Sequence, residues 1–257
     1  MKDLLNTLKF AVRDDGWKVI GQKLMAKMGS VGEPRDRAEV LEWCRSVAES
    51  YAEWAESISP ELWAEASRFG EDLVARATAE LASAKTRFGG GGAYALLYFI
   101  VRLRRPSVIV ETGVAAGWSS TAFLSALEAN GHGELWSSDL PYFRQGASVE
   151  EIGVLVPEAL RGRWRLFVEG DRINLPKIVD QVTSIDLFHY DSDKTEAGRD
   201  YALEIVSPRL SADATVLFDD ILDNGHFRDL DAPGKRVLSD HRRFVGMVSH
   251  GGGSTPA

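Results

Sequence analysis

Cysteine is almost absent from this 257-residue chain. The one residue, Cys44, excludes an intramolecular disulfide and a thiolate zinc cluster. Its apolar helical neighbours read as core, not as the setting of a nucleophile. Positive charge is also in deficit: 30 Lys and Arg against 38 Asp and Glu give a net charge of −8. That balance argues against nonspecific nucleic-acid binding, which requires basic patches. Long apolar runs are missing too. The longest, residues 93–101, falls short of the about 20 residues needed to span a bilayer. Residues 1–10 lack the apolar length and the small-residue cleavage site of a secretory signal. No internal repeat is visible. What is present is 44% hydrophobic residues, enough for a sizeable core. The expectation is a cytoplasmic globular protein with no nucleic-acid or membrane partner.

Three segments follow from the pattern. Residues 1–87 read as a helical N-terminal region, 88–250 as the main domain and 251–257 as a polar, Gly-rich disordered tail. Leu4, Leu5, Leu8 and Val12 form a weak amphipathic stripe, suited to packing on the body or on a second copy of the chain. From Arg35 a helical period runs through Val40, Leu41, Cys44, Val47, Tyr51 and Trp54. Ser59-Pro60 has the form of an N-cap and first helical residue. The tryptophans of this region suit a core against the main domain; lining a substrate pocket is the sharper alternative. Gly89 to Gly92 form a flexible joint before an apolar helix.

After that, strands and helices alternate at βαβ spacing. Strands are expected at 107–111, 134–138, 164–168, 185–190 and 214–218. Helices are expected at 118–130, 149–160, 175–182 and 196–207, with a closing antiparallel pair near 237–238 and 244–248. The fold class is α/β: a Rossmann-like, doubly wound, mostly parallel seven-stranded sheet with an all-helical N-terminal extension.

The chain is organised around Val108-Ile-Val-Glu-Thr-Gly-Val-Ala-Ala-Gly-Trp-Ser-Ser120. A buried strand leads through Glu111, Gly113 and Gly117 into a helix. The spacing Glu-x-Gly-x-x-x-Gly differs from the Gly-x-Gly-x-x-Gly of dinucleotide binders. A carboxylate at the strand end repels a pyrophosphate and suits a cationic ligand such as a sulfonium with an amino group. Further acids end the other strands: Asp139, the Glu169-Gly170-Asp171 loop, Asp191 and Asp219. Core packing does not call for that pattern, because carboxylates are costly to bury. Ligands of open parallel sheets bind at this edge. Asp139, ending the second strand, is placed to accept both hydroxyls of a ribose, and Gly170-Asp171 lies where an adenine edge would. Trp136 and Tyr142 are nearby aromatics suited to packing or stacking. Asp191, Asp219 and Asp220 converge if the sheet is doubly wound. Either a divalent cation such as Mg²⁺ neutralises them or their pKa values rise. Lys194 could instead pair with one of them.

Together these residues resemble the class I S-adenosylmethionine-dependent methyltransferases over residues 88–250. The segments Glu111 to Ser120, Ser138-Asp-Leu-Pro141, Leu187-Phe-His-Tyr-Asp-Ser-Asp193 and Leu217-Phe-Asp-Asp-Ile221 are similar to those of metal-dependent O-methyltransferases of natural-product sugars and related small molecules. The resemblance implies S-adenosylmethionine as methyl donor. Its methionine part would be held by Glu111, Gly113, Ala115, Gly117 and Ser119, with Asp191 close by, its ribose by Asp139 and its adenine side by Gly170 and Asp171. It also implies Mg²⁺ on Asp191, Asp219 and Asp220, and Asp193 as general base. This sequence departs from the pattern at Lys194, where relatives usually carry His; a Lys there would pair with Asp193 or contact the acceptor. Two alternatives stand beside this reading. Tyr190-x-x-x-Lys194 has the spacing of a nicotinamide-dependent reductase pair, and a methyltransferase-like scaffold without turnover would share the fold.

Overall fold

The computed structural model describes residues 37–84, 86–141 and 148–249. The Leu4–Val12 stripe, Tyr142 and the 251–257 tail lie outside the described residues. Helix α1 (Arg37–Val47) leads into a two-residue strand β1 (Glu49–Ser50), then helices α2 (Tyr51–Ile58), α3 (Pro60–Leu81) and α4 (Tyr94–Arg104). The expected single helix through Trp54 is therefore interrupted. Ser50 is extended and its Oγ accepts from Glu53 N, starting a new helix. Ser59 caps α3 by accepting from Leu62 N, with Pro60 in the first turn.

The main domain continues through β2 (Val108–Thr112), α5 (Trp118–Asn130), β3 (Glu134–Ser138), β4 (Trp164–Phe167), α6 (Asp171–Val179), β5 (Ile185–Tyr190), α7 (Glu196–Val206), β6 (Leu210–Phe218), α8 (His226–Asp229), β7 (Arg236–Ser239) and β8 (Phe244–Ser249). Where a helix was expected at 149–160, the chain forms two 3-10 turns, Val149–Glu151 and Glu158–Arg163. Gly153 at φ 68° and Pro157 divide the segment.

The described strands form one eight-stranded sheet in the order β1-β7-β8-β6-β5-β2-β3-β4, one strand more than expected because β1 joins the edge. Strands β2 to β6 pair parallel, while β8 runs antiparallel to β6 and β7. From β2 the chain first builds outward through β3 and β4, then returns to place β5 on the other side of β2. The carboxyl ends of β2 and β5 thus flank the point where the winding reverses, the usual ligand crevice of such sheets.

Alternate residues of each strand feed two cores. Ile109, Leu135, Leu187 and Leu217 face α2 to α5, and Val110, Trp136, Phe188 and Phe218 face α1, α6, α7 and α8. Trp54 and Trp63 of the helical region meet Phe99 of α4 edge-on at 5.8 and 5.9 Å, so they serve packing. Cys44 is fully buried, and burial pushes its thiol up to about 11. Among the described residues no helix is long and apolar enough to cross a membrane.

Phe99 is completely buried where the helical region meets the sheet layer. Phe99→Ala should cost about 3–5 kcal/mol of stability, read as a lower denaturation midpoint with an unchanged slope.

Candidate active site

A cavity of about 980 Å³ opens at the carboxyl edge of the sheet. Its floor is built by the turns after β2, β3, β5 and β6. Backbone bonds run on past the strand ends: Gly113 N donates to Ser138 O, Asp191 N to Thr112 O and Asp219 N to Tyr190 O, at 2.9–3.0 Å. The turns after β2 and β5 touch. Gly113 has φ 83°, and a Cβ there would overlap the Asp191 carbonyl. That position therefore needs glycine for both conformation and space.

Asp139, Asp171, Asp191, Asp193, Asp219 and Asp220 all line this cavity, with Gly113, Ala115, Ser119, Gly170 and Lys194. Glu111 and Gly117 do not. Glu111 is fully buried behind the wall, where it accepts from Ser119 Oγ (2.5 Å), Ser120 Oγ (2.6 Å) and Ser137 Oγ (2.9 Å). Burial pushes its carboxyl up to about 7 against the pull of these hydroxyls. Glu111 thus orients the wall through Ser119. Gly117, at φ 93°, starts α5, and a Cβ there would meet Gly153 Cα at 2.8 Å. Its glycine serves packing against the 3-10 segment. Trp136 stacks on Phe167 and is buried away from the cavity.

On the β3 side, Asp139 accepts from Ala115 N at 2.7 Å and Leu140 N at 2.6 Å. Burial raises its carboxyl to about 6 despite those bonds. Asp171 opens α6 and accepts from Ser138 Oγ at 2.6 Å and from Ser192 Oγ. Asn174, also buried, donates to Ser138 Oγ at 3.0 Å and Phe167 O at 3.0 Å, locking the ends of β3 and β4 together. Glu169 turns outward to pair with Lys177.

On the β5–β6 side, Lys194 resolves the question left open by the sequence. Its ammonium pairs with Asp191 and, at 2.8 Å, with Asp220. Asp193 is not among its ion-pair partners; its Oδ1 accepts from Thr195 N at 3.0 Å, and its carboxyl lies against Gly198, where a Cβ would sit 2.7 Å from Cγ. Burial and the neighbouring Asp219 raise Asp191 to about 7, with Lys194 opposing. Burial and then Asp220 raise Asp219. Burial works against the charge of Lys194, but Asp191 and Asp220 outweigh it and hold the ammonium above its ordinary range.

The sequence assigns no site role to His189, Tyr94 or Trp118, all of which line the cavity. His189 lines the cavity, is 2% exposed and is held neutral because burial lowers it to about 3. Its Nδ1 lies 4.0 Å from Glu111 Oε1 with no hydrogen-bond partner, so the neutral ring makes no ion pair there. Tyr94 and Trp118 stack with centroids 5.1 Å apart beside the Gly89–Gly92 segment, where Tyr94 Oη accepts from Gly91 N. Tyr190, the tyrosine of the reductase-like pair, is 1% exposed and donates its hydroxyl to Asp193 O at 2.7 Å. It is not free to deliver a proton.

A raised carboxyl favours the protonated folded state. The contribution of Glu111 is fully present below its ordinary value of 4.5 and is lost as pH rises through about 7. That difference corresponds to about 3 kcal/mol. Wild type should therefore lose about that much more stability than Glu111→Gln between pH 4.5 and 7.5, measured by denaturant titration at several pH values.

Residues 110–221 match the family model described as a methyltransferase domain. No curated protein sequence matches the chain. Among solved structures, cofactor-bound Rv0187 from MTB is similar at 14% identity and TM-score 0.55, covering 70% of this chain and 89% of that one. A methyltransferase from Geobacter sulfurreducens is similar at 18% identity and TM-score 0.53, with 70% and 88% covered. An O-methyltransferase from Bacillus cereus in complex with SAH is similar at 13% identity and TM-score 0.51, with 70% and 90% covered. At these identities the likenesses establish the fold, and the domain match falls on the segment that builds the cavity floor. Over residues 110–221 the chain thus carries a segment similar to a methyltransferase domain, on a fold it shares with solved methyltransferases.

Proposed function

We propose that the protein methylates a hydroxyl group of a small molecule, in the manner of natural-product O-methyltransferases. The observation that supports this most directly is the division of the cavity. Asp139, Asp171 and the Gly113–Ala115 turn line one part, and Asp193, Lys194 and the Asp219–Asp220 loop line the other. The size suits a nucleoside-sized donor together with an acceptor. Bound S-adenosylmethionine supplies an activated methyl group on a sulfonium, so the protein's task is orientation and proton handling. Asp139 would hold the ribose and Gly170-Asp171 would flank the adenine. The acceptor oxygen attacks the methyl carbon, the S–C bond breaks with its electron pair staying on sulfur, and the hydroxyl proton passes to a carboxylate. Asp193 suits that role: it lines the cavity and is fixed by Thr195 N, outside the Lys194 ion pairs.

Asp191, Asp219 and Asp220 have the oxygen chemistry of a Mg²⁺ site. As arranged, however, they do not fit one, because the Lys194 ammonium already engages Asp191 and Asp220. Among the described residues no three His, Cys, Asp or Glu side chains are grouped as a ligand set. A divalent ion would enter only with Lys194 displaced, and no step is assigned to it. The net charge of −8 and the single cysteine support a cytoplasmic protein with a small-molecule partner; pairing of two copies through the N-terminal helices belongs to the same reading.

Transfer of labelled methyl from S-adenosylmethionine to a panel of hydroxylated small molecules tests the assignment. Asp193→Asn should lower kcat by about 10²–10⁴-fold, with donor affinity unchanged by calorimetry. Asp139→Ala should weaken S-adenosylhomocysteine binding by about 10-fold or more, as expected for a charged hydrogen-bond acceptor. Turnover should persist in excess chelator. A strict Mg²⁺ requirement would show instead that Lys194 leaves the acids during the reaction, and donor binding with no transfer to any hydroxyl would favour the scaffold alternative.

A further inference from the structure

We propose that Arg199 is a positioning residue for this site, holding the Asp219–Asp220 loop against Lys194 from behind the cavity. Arg199 does not line the cavity and is fully buried. It lies in the first turn of α7, which Thr195 caps. Its Nη1 donates to Asn224 Oδ1 at 2.6 Å, and its Nη2 donates to the carbonyls of Asp220 at 2.8 Å and Asp219 at 3.4 Å. Asn224 Nδ2 then donates to the Lys194 carbonyl at 2.8 Å. One guanidinium therefore ties the loop after β6 to the loop after β5.

Packing alone does not account for this residue. Its Nε is buried without a partner, and an apolar side chain of similar volume avoids that desolvation. What the guanidinium provides is a planar fork that matches several loop acceptors at once. Asp220 has φ 49°, a left-handed backbone that a non-glycine residue keeps only when its surroundings hold it. Arg199 grips its carbonyl. The consequence for turnover rests on the methyl-transfer reading; the geometry does not.

The test uses full-length protein labelled with ¹⁵N-lysine, the Lys194 ammonium resonance being assigned with Lys194→Arg. Wild type should show a Lys194 signal protected from exchange. In Arg199→Met that signal should disappear or move to the position of a free lysine, while the thermal transition shows a folded protein. Arg199→Lys should restore it in part. S-adenosylhomocysteine affinity should stay within about threefold, and kcat for any acceptor that turns over should fall about 100-fold, as for a small misplacement of reacting groups. A folded Arg199→Met with the wild-type Lys194 signal overturns the inference. Should Arg199→Met fail to fold, Asn224→Ala removes one link of the same tie and should also release the Lys194 signal; an unchanged signal there overturns the inference equally. Loss of the signal in variants of a protein that methylates nothing would uphold the positioning role and remove the methyl-transfer reading.

Discussion

One ammonium group sets the electrostatic balance of the site. Lys194 lies among carboxylates delivered by the ends of β5 and β6, and it is the cation that pairs with Asp191 and Asp220. Parallel strands bring their ends to the same edge, so acids at those ends must be close. At such separations and partial burial, each unbalanced pair costs on the order of a few kcal/mol. The protein distributes that cost. Asp191 and Asp219 are raised, Lys194 holds its proton more tightly, and Asp193 stays outside these ion pairs.

This balance depends on backbone geometry more than on side chains. The turns after β2 and β5 lie so close that Gly113 has no room for a Cβ. Glu111 anchors the turn from inside through three serine hydroxyls drawn from α5 and β3. Ser137 also accepts from Trp164 Nε1 at 2.9 Å, extending the network to β4. The two parts of the cavity are thus held by one hydrogen-bonded floor.

Much of this was legible in the sequence. The strands expected at 107–111, 134–138 and 185–190 lie on β2, β3 and β5, and the acids closing them marked the edge where the cavity opens. What could not be read was direction. Glu111 pairs in register with His189 and points with it toward α5, so it is a wall residue. That orientation depends on serines contributed from elsewhere in the chain. Two misread segments did carry a signal. Ser50-x-x-Glu53 has the form of a capping box that starts a new helix, and Gly153 with Pro157 divides the segment read as one helix. Arg199 was also readable in part. It shares the inward stripe of Ala202 and Val206 on α7, where a charged residue needs a reason to be. Its partners, in a loop beyond β6, had no counterpart in any local pattern.

The shortest strand has a consequence for solubility. β7 would otherwise leave a row of open backbone groups at the sheet margin, the kind of template on which chains stack into aggregates. Glu49 and Ser50 occupy that margin, and the ion pair of Arg236 with Glu49 at 2.7 Å and the hydroxyl bond of Tyr51 to Asp240 secure them. Because α2 begins at the next residue, the added strand is too brief to serve as a template itself. The helical region thus shields the β7 margin from intermolecular pairing.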